Sequence, residues 1–200
     1  MSIKNLYAKS GVVIAGIGLF FGWLLRAILQ PAFDITNVPA YQLLTEIGLV
    51  TAAATHPYVF VGVSVLATLL AIETHHLRAW VHVAVTTTTV VAVSYLLKEL
   101  FAIPRPAHGL IELGSYGFPS THGAAVGSIF VVGLFHSWRL CRTQWLFFFT
   151  AVLATILTAV AAFSRVLINV HTLGDVIAGL LVGIGLGAVA VQLWTNKHQS

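Results

Sequence analysis

Apolar residues run along this chain in six long blocks, near residues 11–29, 57–74, 79–101, 121–138, 143–163 and 172–194, with the polar positions gathered at the joints between them. A hydrocarbon core roughly 30 Å thick is crossed by about 20 mostly apolar helical residues, so each block predicts a membrane-spanning helix. The expected fold class is all-α, a six-span transmembrane helical bundle. The blocks nearly exhaust the chain, which predicts a single integral-membrane domain over residues 1–200 with no soluble appendage. The remaining long segment, 31–56, is too polar at its start to span and reads as an interfacial stretch, a candidate lateral lid for a lipid.

Composition supports this reading. The chain is 58% hydrophobic and 8% charged with a mean hydropathy of +0.93, which no soluble domain of this size keeps in water. The first block follows Lys4 and Lys9 like a signal peptide, but no small-x-small site follows it, and it reads as a retained anchor with Arg26 and Gln30 at the interface. Cys141 is the only cysteine, so neither an internal disulfide nor a multi-cysteine metal site is expected. The net charge of +4 comes from basic residues scattered singly rather than in a stripe, which argues against a nucleic-acid partner.

Basic residues near span ends are retained on the cytoplasmic side. An inside N-terminus places Lys4, Lys9, Arg78, Arg139, Arg142 and Lys197 there, and leaves Arg26, Lys98, Arg105 and Arg165 outside with Asp34, Glu46, Glu99, Glu112 and Asp175. Lys98, Arg105 and Arg165 are on the unfavourable side for topology and need another reason to be there, namely an anionic partner. Three stretches carry the outside polarity, "KELFAIPRP" at 98–106 with Lys98 and Arg105, "PSTHG" at 119–123, and "SRVLINVHTLGD" at 164–175 with Arg165, each at the outer end of a predicted span. In the second stretch Ser120 reads as an N-cap, with the amides of Thr121, His122 and Gly123 as unpaired first-turn donors, an arrangement that binds phosphate. In the third, His171 and Asp175 share a helix face four residues apart, and a carboxylate there fixes the imidazole tautomer. Together these groups match what phosphoryl transfer requires: cations for the spreading negative charge and side chains for nucleophile and leaving group.

In order and spacing, the three stretches resemble the signature of the type 2 phosphatidic acid phosphatase superfamily. Lys98, Arg105 and Pro106 fit its first part, Pro119, Ser120 and His122 its second, and Ser164, Arg165, His171 and Asp175 its third. Thr121 stands where that family usually has glycine, a departure that bears on substrate range. The resemblance implies that Lys98, Arg105, Ser120 and Arg165, with the first-turn amides of Thr121 and Gly123, hold the phosphate. It implies that His171 attacks to form a phosphohistidine, Asp175 orients His171, and His122 protonates the leaving oxygen and then activates water. No metal or other cofactor is implied. The expected activity is a metal-independent phosphatase acting on a lipid phosphate or diphosphate at the extracytoplasmic face of the cell (inner) membrane. Undecaprenyl diphosphate, phosphatidic acid and phosphatidylglycerol phosphate are the candidate substrates. A lipid phosphotransferase would use the same site. A membrane transporter fits less well, because transport sites lie near the midplane and these residues lie at outer ends. A vanadate-dependent peroxidase is disfavoured by the six spans.

Smaller signals have plainer readings. The four-residue spacing of Gly179, Gly183 and Gly187, and of Gly123 and Gly127, predicts close helix packing. The hydroxyls of "TTTT" at 86–89 are expected to bond carbonyls of their own helix. The loop 107–118 is a candidate for headgroup contact.

Overall fold

In a membrane an apolar segment satisfies its backbone groups internally by coiling. In the computed structural model of the protein, which describes residues 4–29, 41–54, 76–107, 109–111 and 113–197, the apolar runs are α-helices. They are α1 (Lys4–Leu29), α2 (Tyr41–Ala54), α3 (Leu77–Phe101), α4 (Thr121–Leu140), α5 (Gln144–Leu167) and α6 (Leu173–Lys197). Five stretches, Lys9–Ile28, Leu77–Phe101, Thr121–Leu140, Gln144–Leu167 and Leu173–Lys197, are long and apolar enough to cross a membrane. The fold is an all-α transmembrane bundle. The expected span at 57–74 lies outside the described residues, as do 31–40 and 55–56. Within the segment expected at the interface, 41–54 forms α2, which packs on the end of α5 with Gly48 against Leu167 and Ile168.

The most buried span, α6, makes its largest interfaces with α1 and α4, whereas α5 lies at the periphery. Glycine makes both interfaces close. A β-carbon on Gly179 or Gly183 would fall on the carbonyl of Ser120 or Ala124 in α4, and one on Gly174 would fall on the carbonyl of Gly22 in α1. The backbones touch where a side chain would hold them apart, the packing role expected of these residues. Hydroxyls within the spans bond their own helices: Thr89 Oγ1 donates to the Val85 carbonyl at 2.8 Å and Ser94 Oγ to that of Val90 at 2.9 Å.

Chain reversals bring the three polar stretches to one end of the bundle. At the end of α3, Ala102 turns into the left-handed region at φ 47° while its N–H closes on the Lys98 carbonyl. At the end of α5, the chain turns through Asn169 at φ 54°. The opposite end of α3 is tied to α4 and α6 by His82, whose Nδ1 lies 3.0 Å from His136 Nε2 and whose ring stacks on Trp194.

Candidate active site

Two helix starts, two helix ends and one loop build the site. Ser120 caps α4 as expected, with extended backbone and its Oγ accepting from the Gly123 amide at 3.3 Å. The Gly123 amide is therefore engaged by the cap instead of standing unpaired. At the start of α6, Thr172 and Asp175 form a reciprocal capping box: the Asp175 N–H donates to Thr172 Oγ1 at 3.2 Å and the Thr172 N–H to Asp175 Oδ2 at 2.8 Å. The Ser120 N–H donates to the Asp175 carbonyl at 2.9 Å, joining the two helix starts directly.

Between them lies a cavity of about 60 Å³ lined by Lys98, Arg105, Thr121, His122, Arg165 and His171, with Tyr95, Leu113, Ser115 and Val170. Six of the nine residues predicted from the sequence thus meet in one space. The other three stand outside the lining: Asp175 on His171, and Ser120 and Gly123 in the cap of α4.

The loop 103–120 holds the cations in place. Lys98 Nζ donates to the carbonyls of Tyr116 at 2.6 Å and Gly117 at 3.3 Å. Arg105 donates from Nε to the Ser115 carbonyl at 2.7 Å and from Nη2 to Ser115 Oγ at 3.0 Å, while its Nη1 reaches the Val170 carbonyl at 2.9 Å. Loop residues 115–117 thus act on the site by binding its cations.

Both arginines also bond a histidine, Arg105 Nη1 with His171 Nε2 at 3.1 Å and Arg165 Nη2 with His122 Nε2. A guanidinium only donates, so Nε2 is the acceptor on each ring and the proton of the neutral imidazole is assigned to Nδ1. On His171, Nδ1 faces Asp175 Oδ2 at 3.5 Å without closing a hydrogen bond. Burial lowers the His171 pKa to about 4, with Lys98 and Arg105 adding to the effect and Asp175 opposing it. Burial also lowers the pKa of Arg105, against the pull of Asp175. Thr121 is only 4% exposed, and its Oγ1 has no hydrogen-bond partner in the cavity wall.

Arg26 corrects the sequence reading. It is no interfacial anchor: it is 5% exposed, pairs through Nη1 with Asp175 Oδ1 and donates from Nη2 to the Pro104 carbonyl. No local pattern in α1 marks it. Ser115 was equally hidden, whereas the capping box could have been read from the Thr-x-x-Asp spacing at 172–175. Among the described residues, no group of three His, Cys, Asp or Glu could hold a metal ion.

The model of the PAP2 superfamily matches residues 79–199. Palmitoyl-protein thioesterase-dolichyl pyrophosphate phosphatase fusion 1 of Schizosaccharomyces pombe is 33% identical over 106 residues, which is 50% of this chain and 17% of that protein. Sphingosine-1-phosphate phosphatase 2 of Mus musculus is 26% identical over 112 residues, 53% of this chain and 31% of that protein. Its Homo sapiens counterpart is 27% identical over 112 residues, 53% and 28%. The chain therefore spans less than a third of the length of each of these relatives. Among solved structures, the transmembrane PAP2 type phosphatidylglycerolphosphate phosphatase from Bacillus subtilis superposes with a TM-score of 0.69 at 18% identity, over 95% of this chain and 97% of that one. At that identity the likeness is one of fold.

Proposed function

The chain belongs to the PAP2 superfamily, and on that premise we propose that it is a membrane phosphatase that hydrolyses a lipid phosphate or diphosphate through a phosphohistidine intermediate. Residues 1–200 act as one domain, with the site at the extracytoplasmic face of the cell membrane. The observation that carries the reading is the cavity in which Lys98, Arg105, Arg165, His122 and His171 converge. A small space walled by three cations and two histidines suits a phosphoryl group.

In the free protein each arginine bonds an imidazole. An arriving phosphate is a stronger acceptor for both guanidiniums, so binding draws Arg105 and Arg165 onto its oxygens and releases Nε2 of both rings. Lys98 adds a third cation. Thr121 Oγ1 donates to a phosphate oxygen, satisfying a hydroxyl that has no partner in the free site. Ser120 and Gly123 hold the start of α4 in position.

Once Arg165 has left it, His122 Nε2 takes up a proton from solvent; His171 Nε2 then attacks phosphorus in line, the P–N bond forms, the ester or anhydride P–O bond breaks, and His122 delivers that proton to the leaving oxygen. Asp175 supports the positive charge that develops on His171. In the second step His122 takes a proton from water, the new P–O bond forms, and the P–N bond breaks to return neutral His171. The cations neutralise the equatorial oxygens throughout, the task that metal ions perform elsewhere.

Phosphate release by purified protein from a panel of lipid monophosphates and diphosphates tests the reading. Release from at least one lipid, undiminished by EDTA, is the expected outcome. Activity lost on chelation and restored by magnesium would contradict the assigned roles. Label recovered on an added acceptor instead of in free phosphate would make the protein a phosphotransferase.

A further inference from the structure

Arg26 lies in the last turn of α1, outside residues 79–199 that match the family model, yet it is buried beside Asp175. Gly22 and Gly174 let α1 and α6 approach backbone to backbone, and a β-carbon on Gly174 would crowd the Arg26 main chain. The guanidinium then has two partners at right angles in function: Asp175 Oδ1, one residue of the His171 pair, and the Pro104 carbonyl, next to Arg105. Gly117 leaves room for it, since a β-carbon there would stand 3.3 Å from Arg26 Nη1.

We propose that Arg26 is a positioning residue for the reaction, fixing the Asp175 carboxylate and partly neutralising it so that the pair of Asp175 and His171 binds a proton less tightly. The inference rests on the phosphohistidine reading for its consequence, but its electrostatic part stands on geometry alone. Asp175 has three demands on two oxygens: Oδ1 serves Arg26, while Oδ2 accepts the Thr172 N–H and faces His171 Nδ1. A carboxylate without Arg26 would turn its full charge on the imidazole, and the pair would bind a shared proton more tightly, whichever member held it. Among the described residues, the other titratable groups facing His171 are cations or neutral: Tyr95 and Lys98 from α3, Arg105 from the loop, His122 from α4 and Arg165 from α5 all share its cavity. Asp175 is thus the group that pulls the imidazole toward protonation, and Arg26 is the brake on that pull. The second contact, to Pro104, ties the same guanidinium to the segment that carries Arg105, so one side chain from α1 sets both neighbours of His171.

The test follows the His171 ring directly. Protein labelled with ¹⁵N-histidine is titrated in detergent, His171 being assigned by its loss in His171→Gln, for wild type, Arg26→Gln and Arg26→Lys. In Arg26→Gln the His171 midpoint is expected to rise by about one pH unit, the size of effect an adjacent charge exerts. In Arg26→Lys, which keeps the charge but not the fork, it is expected to stay at the wild-type value. With a lipid phosphate the acid limb of kcat/KM should move in step, and Arg26→Lys should lose kcat several-fold with its acid limb in place. An unmoved His171 midpoint in Arg26→Gln overturns the inference, and so does wild-type kcat in Arg26→Lys. Should Arg26→Gln fail to fold, Arg26→Lys decides alone. If the titrations behave as expected while no lipid phosphate is hydrolysed, the phosphatase reading fails and the positioning of Asp175 stands.

Discussion

At the scale of single residues, His171 and His122 are separated by their partners, Asp175 beside the first and Arg165 on the second. His171→Ala should lower turnover by at least about a thousandfold, while Asp175→Asn, which disturbs tautomer and orientation, should leave a residual rate two to about four orders of magnitude down. His122→Ala should slow phosphoenzyme formation from a lipid monophosphate, whose alkoxide needs a proton, far more than from an activated aryl phosphate, whose leaving group does not. Rapid-quench measurement with both substrates checks this, and equal losses would show that His122 binds phosphate instead of protonating. Burial holds His171 neutral down to about pH 4, so the nucleophile is available throughout the range above it. The acid limb of kcat/KM that belongs to His171 should therefore fall near pH 4; a limb near 6.5 would mean the imidazole is not desolvated as the fold places it. Thr121→Val keeps the shape and removes the unpartnered hydroxyl; it should weaken competitive inhibition by inorganic phosphate about tenfold, the worth of one hydrogen bond to a charged group. Most of these residues were legible because their spacing is local to one stretch. Arg26 was not, since a lone arginine near the end of an apolar run looks like any interfacial arginine until the helix packing brings it to Asp175.

At the scale of helices, the site depends on backbones that touch. Gly183→Val would drive a side chain onto the Ala124 carbonyl, which cannot yield as a flexible side chain would. Overpacking of this kind costs about 1–3 kcal/mol, so a lowered melting temperature in detergent and a large loss of activity are expected. Gly133→Ala, where a β-carbon meets nothing within 4 Å, should leave both unchanged. The sequence foretold the described spans to within a few residues because apolar length alone determines a membrane helix. It also foretold the Ser120 cap. The partner of each glycine, and the docking of α2 on α5, depend on which faces meet, and a uniformly apolar helix carries little pattern from which to read its faces.

At the scale of the molecule, three stretches far apart in sequence become one site because each ends or begins a span at the same end of the bundle. The excess of Lys and Arg at the other joints argues that this end is extracytoplasmic. Reporter fusions after residue 76 and after residue 110 test the orientation, the first expected inside and the second outside; a cytoplasmic reporter after residue 110 would reverse it. The proposed reaction passes through a covalent phosphate on His171. Purified protein mixed with a ³²P-labelled lipid phosphate and quenched within milliseconds in alkali, where phosphohistidine survives, should yield label on the peptide that contains His171 and on none from His171→Ala. Steady hydrolysis with no label on that peptide, or with label on a different residue, would contradict it.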